Sequence, residues 1–321
     1  MNPGNPIVII GAGVAGLTAA VRLSRAGRRV VVFEARPRLG GRATAFHDRI
    51  TGEPVDNGQH VLFGCYHETL ALLRTIGAEQ NVRIQPTLDV PYLDERGRPT
   101  RLHCPPLPAP FHLLGGLLKW EALSWRDKMS AIRLAQTLKS DRDEFQFLQR
   151  FRRRLQKLKF VPIERAVRAR EWLIAEGQTP RVRELLWEPL AVAALNEPAD
   201  AASAELFAVI LSRLFGRSRL DASIVMPTVP LDRMYAEPAR AFSEAHGGDV
   251  RTNALARVVI KGGRITAVRS GDHTIPATVA ISAVAWHAFA NLFEDTAGAR
   301  CMPDALREVA DNAARMRSMP I

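Results

Sequence analysis

An α/β fold on a parallel sheet is predicted by three features at the start of the chain. An unbroken apolar, β-branched run, Ile7-Val8-Ile9-Ile10, leads straight into a glycine-rich turn. A helical stretch, Leu17 to Ala26, follows and stops at Gly27. A second such run, Val30-Val31-Val32-Phe33, ends on an acid. Runs of this kind are buried on both faces of a parallel sheet, and glycine is the residue that most readily closes a helix.

The turn itself, Gly11-Ala12-Gly13-Val14-Ala15-Gly16, gives the three glycines separate tasks. Gly11 makes the tight bend, Gly13 lets the backbone approach a pyrophosphate, and Gly16 lets helix and strand pack closely. The helix N-terminus adds unpaired N–H groups and partial positive charge. Glu34, with Ala35 after it, stands about 20 residues beyond the turn, where an acid accepts hydrogen bonds from an adenosine ribose. Its charge opposes the 2′-phosphate of NADP. A lone GxGxxG is weak evidence; with the strand, the helix, Gly27 and Glu34 around it, it reads as a Rossmann-type nucleotide site.

Arg36-Pro37-Arg38-Leu39-Gly40-Gly41-Arg42 supplies a second glycine turn. Gly40 and Gly41 let the chain pass close to a cofactor, and Arg42 can fork onto phosphate oxygens. Together with Val55-Asp56-Asn57-Gly58-Gln59-His60, these motifs resemble the flavoprotein family of amine oxidases and phytoene desaturases. The stretch from Val55 to Tyr66 is similar in particular to the bacterial hydroxysqualene dehydroxylases, as are Met226-Pro227, Gly248-Asp249-Val250 and Ala283 to Phe289. The first 66 residues carry the specific part of this resemblance; the middle is similar mainly in pattern.

The resemblance implies FAD as cofactor. It places Gly58-Gln59-His60 near the flavin ring and Val258 against the adenine side. It implies a long isoprenoid substrate, hydroxysqualene, whose allylic hydroxyl is replaced by hydride; a carotenoid-type desaturase and a non-catalytic isoprenoid-binding protein are the alternatives. No residue is legible as the catalytic acid. The implied organisation is an FAD-binding domain (residues 1–85 and 225–290) interleaved with a mixed α+β, largely helical substrate region (86–224 and 291–321). Flavoproteins of this type close the cofactor site with a Gly-Asp segment leading into a helix. Here Gly248-Asp249 and Gly271-Asp272 both lead into strands. A C-terminal completing segment or a second polypeptide is therefore expected, without which the chain is expected to be inactive.

Along the middle, Glu68 to Ile76 reads as a helix closed by Gly77, and 92–102 as a hairpin. A proline-rich break at 105–110 then opens a mostly helical region to about Leu220. Two readings fit the apolar stretch from Phe111 to Trp125: a buried core helix, or the mouth of a greasy pocket with Trp120 and Trp125 at a headgroup interface. The cluster Arg150, Arg152, Arg153, Arg154, Lys157 and Lys159 alternates at helical spacing with Phe147, Leu148, Phe151, Leu155 and Leu158. It reads either as the solvated face of an amphipathic helix or as a face meeting anionic lipid. From 249 to 283 the pattern returns to strands.

Composition sets limits. A net charge of +11 invites a nucleic-acid reading, but the arginines are dispersed among many acids and no groove-reading or RNA-stacking motif is present, so no nucleic-acid partner is expected. His60, His67, His103 and His112 form no HxxxH pair, and Cys65 to His67 is too short for a closed zinc site; no metal is expected. Three cysteines make no even disulfide set, and no apolar run reaches the roughly 18 residues that span a bilayer. A cytoplasmic location follows, with peripheral contact at the inner face of the plasma membrane as the second reading.

Overall fold

The computed structural model describes residues 5–58, 60–93, 97–138, 144–157, 166–216 and 218–316. The chain divides into two compact units. One is formed by residues 1–60, 68–83 and 226–318, the other by 61–67, 84–225 and 319–321.

The first unit is built on a four-stranded parallel sheet. β1 (Ile7–Ile10) lies between β2 (Val30–Phe33) and the strand Ala280–Ser282, and Asp249–Arg251 pairs on the outer side of β2. Val8, Ile9, Val30 and Val32 are almost wholly buried, as strands covered on both faces require. Helix α1 (Val14–Arg25) buries Leu17, Ala20, Val21 and Ser24, which recur at i, i+3, i+4 and i+7. It ends at Arg25, two residues before Gly27, whose φ is +71°.

A second sheet consists of the antiparallel strands Ala256–Lys261, Arg264–Ser270 and His273–Pro276, joined in parallel by Phe293–Asp295. Val8, Ile10, Val31 and Phe33 share a core with Val258, Val268, Leu292 and Phe293, so the two sheets pack face to face. Residues 291–316 thus fold onto the nucleotide unit rather than into the substrate region expected from sequence. The parallel pairing of Phe293–Asp295 with Ala256–Lys261 holds them there. Residues 61–67 fall instead with the second unit, where Leu62 and Phe63 pair antiparallel with Val225 and Ile224.

The second unit is mainly helical, with the hairpin Asp89–Leu93/Pro99–His103 beside it. Its core is aromatic: the Trp172 ring meets Phe151 edge-on at 5.2 Å and Phe207 at 6.4 Å. Trp120 is fully buried, packs tilted against Tyr92 with ring centroids 4.8 Å apart, and donates Nε1–H to Thr100 Oγ1 at 3.1 Å. It is a core residue, and the reading that put both tryptophans at a headgroup interface does not hold for it. Trp125, at 67% exposure, begins the next helix, whose Ser124–Asp127 capping box satisfies the orphan N–H groups.

The helix Glu144–Leu155 buries Phe147, Phe151 and Leu155. Two cations of its basic cluster are bound within the unit: Arg152 forks onto Glu205 at 2.8 and 2.9 Å, and Arg154 onto Glu176 at 2.6 Å. Leu158 and Lys159 lie outside the described residues. Among the described residues no helix is long and apolar enough to cross a membrane. Cys104 is buried and Cys65 partly so, and burial pushes both thiols up to about 11.

Candidate cofactor site

The two glycine turns come together in the first unit. Gly40 donates its backbone N–H to the Ala12 carbonyl at 2.9 Å, and Gly13 and Gly40 form a parallel bridge. The first turn is shaped by contacts that exclude side chains. Gly11 has φ of +105°, and a Cβ on Gly16 would sit 1.9 Å from the Gly11 carbonyl oxygen. Above Gly13 the space is open, since a Cβ there would meet only the Gly41 Cα at 3.9 Å. Val14 and Ala15, exposed at the start of α1, carry N–H groups of the kind a helix leaves unpaired at its first turn.

Glu34 is held in place by its own backbone neighbours. One carboxylate oxygen accepts from Ala12 N–H at 2.8 Å and the other from Arg36 N–H at 2.9 Å. Its carbonyl accepts from Ala254 N–H at 2.8 Å. Each carboxylate oxygen keeps further lone-pair capacity for ribose hydroxyls. Ala35 is exposed at the same end of β2.

The turn at Asp56 to His60 is tied to the second glycine turn. Asn57 donates Nδ2–H to the Arg42 carbonyl at 3.0 Å and its backbone N–H to Thr44 at 2.9 Å. Asp56 accepts from Leu231 N–H at 2.9 Å, where the segment Asp232–Ala236 begins. Both residues therefore shape the turn. Gly58 has φ of +85°, and His60 Nδ1 lies 2.8 Å from the Gly58 carbonyl. Gln59 lies outside the described residues. The Arg42 guanidinium rests 5.5 Å above the Trp286 ring, a cation–π contact that holds the cation beside the turn.

Val258 is placed in the shared core at 3% exposure, with its N–H donated to the Leu292 carbonyl at 2.7 Å. Its side chain thus packs against the parallel sheet.

Sequence reasoning missed Tyr235. Its buried hydroxyl donates to the Gly40 carbonyl at 2.8 Å and approaches the Ala43 carbonyl at 3.1 Å, clamping the second glycine turn. Burial raises its pKa far above neutrality, so it stays protonated and can donate. No local spacing links it to Gly40; the contact exists only through the tertiary fold. Tyr235→Phe should leave both carbonyls without this donor, cost about 1–3 kcal/mol, and loosen FAD. Thermal unfolding together with flavin retention on gel filtration checks this.

Open space over Gly13, a helix N-terminus, a fixed carboxylate at the end of β2 and a second turn fastened to the first fit the adenosine diphosphate half of FAD. A model of the flavin containing amine oxidoreductases matches residues 14–314. The chain belongs to that family. FAD is accordingly its cofactor.

Among curated relatives, zeta-carotene desaturase of Solanum lycopersicum is 31% identical over 191 residues, 58% of this chain and 30% of the relative. Hydroxysqualene dehydroxylase of Zymomonas mobilis is 47% identical over 75 residues, 23% of this chain and 18% of the relative. The matches cover less than half of these relatives' length. An oxidoreductase from Methanosarcina mazei shares the fold, with a TM-score of 0.66, 20% identity, and coverage of 97% of this chain and 65% of that one. Among the described residues no cluster of His, Cys, Asp and Glu is arranged to hold a metal ion.

Proposed function

We propose that the protein is an FAD-dependent oxidoreductase that replaces the allylic hydroxyl of hydroxysqualene with hydrogen, giving squalene. The observation that carries this reading is the 47% identity to a hydroxysqualene dehydroxylase, well above the 31% found over a longer span with a carotene desaturase. The wider span of the desaturase match supports the second reading, desaturation of a carotenoid-like chain. The two run opposite redox chemistry on isoprenoids.

Dehydroxylation takes two electrons and two protons per substrate and releases one water. FAD, when bound and reduced, would supply the electron pair, and an external reductant would renew it. The chain's own residues anchor the cofactor through the turns, Glu34 and Arg42, which fixes one end of the near-attack geometry on which rate depends. A substrate this apolar partitions into lipid, and Phe111 and Trp125, 58% and 67% exposed, offer apolar contact at a bilayer surface. Peripheral attachment at the inner face of the membrane belongs to this proposal, as does a C-terminal completing segment or partner polypeptide.

Incubation of FAD-loaded protein, completed with its C-terminal segment, anaerobically and with a chemical reductant, with hydroxysqualene should yield squalene by mass spectrometry. Absence of squalene, with aerobic desaturation of a carotenoid precursor instead, would replace this reading with the second.

A further inference from the structure

A cleft of about 870 Å³ opens at the edge of the nucleotide-binding unit, beside the outermost strand, Asp249–Arg251, of the parallel sheet. Among its described lining residues are none of Gly11 to Gly16, Glu34, or Gly40 to Arg42. The walls carry Arg240, Arg251, Arg257 and Arg269 against one carboxylate, Glu294.

Arg257 and Arg269 are direct cross-strand partners in the antiparallel pair. Like charges in that relation repel. Glu294, on the adjoining strand and only 7% exposed, partly offsets this: Oε1 lies 3.1 Å from Arg269 Nη1, and Oε2 4.0 Å from Arg257 Nε. Oε1 nonetheless has no well-formed hydrogen bond. One carboxylate therefore serves two guanidiniums fixed on rigid strands. Arg251 adds a third, resting 5.6 Å above the Phe33 ring and paired with Asp249 at 2.7 Å on the sheet edge. Arg240 is already engaged by Glu244 at 2.9 Å. Leu255, 61% exposed, places an apolar side chain beside the cations.

Guanidinium forks match phosphate geometry, and the volume lies in the range of small-molecule sites, roughly 300–1,000 Å³. We propose that this cleft binds a phosphate-bearing small molecule of nucleotide size. Arg251, Arg257 and Arg269 hold its phosphate, and Leu255 meets its less polar body. The site is separate from the FAD cradle and independent of the substrate reading above.

The test is calorimetric titration of FAD-saturated protein at low salt with adenosine monophosphate, inorganic phosphate and adenosine. The expected result is one saturable site for the monophosphate, weaker binding of phosphate and none of adenosine. Arg251→Ala, on the sheet edge, and Arg269→Gln should each weaken the monophosphate by about tenfold or more while flavin absorbance is retained. Glu294→Gln should tighten it, because a competing negative charge is removed; a purely structural ion pair would not give this result. Absence of saturable binding, indifference to Arg251→Ala, or phosphate binding as tightly as the monophosphate would overturn the proposal. Displacement of FAD by the monophosphate would also overturn it, by assigning the heat to the cofactor's adenosine end.

Discussion

Gly16→Ala should abolish FAD retention. The added methyl would lie 1.9 Å from the Gly11 carbonyl oxygen and 3.2 Å from the Ala283 Cβ. The first contact is with backbone, so no rotamer change relieves it. Either α1 moves away from β1 or the Gly11 turn opens. The first unpacks Leu17, Ala20 and Val21, and the second destroys the surface presented to the pyrophosphate. Overpacking of a tight core costs about 1–3 kcal/mol and occasionally more; with the turn displaced as well, we expect at least about 3 kcal/mol. Chemical denaturation should show reduced stability, and reconstituted protein should carry no flavin absorbance. Wild-type stability with flavin bound would show that the turn does not need this close approach.

Glu34→Arg has the next largest expected effect. The wild-type carboxylate accepts from both Ala12 and Arg36 N–H groups, so its loss strips acceptors from two backbone donors before any ligand is considered. Each donor left without a partner costs about 1–3 kcal/mol. The replacement also puts a cation where ribose hydroxyls require an acceptor. FAD should weaken by about tenfold to a hundredfold. Because a cation at this place suits a 2′-phosphate, the ratio of NADP to FAD affinity should rise. Titration with each dinucleotide reads both changes, and an unchanged ratio would remove Glu34 from the ribose contact.

The parts legible in sequence were those whose physics is local. β1, the glycine turn, α1 and β2 follow from a β-branched run, a bend that excludes side chains and a helical apolar stripe, all within one crossover unit. The second glycine turn was visible too, but what fastens it was not. Tyr235 reaches Gly40 from a distant segment, and no periodicity encodes such a contact. Charge patterning placed the basic residues correctly on the exposed face of the helix Glu144–Leu155 but not their partners, for a related reason. Arg152 and Arg154 look like a free basic face until Glu205 and Glu176 are brought beside them by helix packing. Phe293–Asp295 is too short and too polar, with Glu294 at its centre, to announce a strand; its pairing depends on the edge that Ala256–Lys261 offers.

We infer that the two joined glycine turns and Glu34 grip the adenosine diphosphate half of FAD. Competition titration tests it most directly, with flavin fluorescence as the readout and ADP or FMN as competitor. ADP should displace FAD, and FMN, which lacks the adenosine half, should not. Displacement by FMN with indifference to ADP would contradict it.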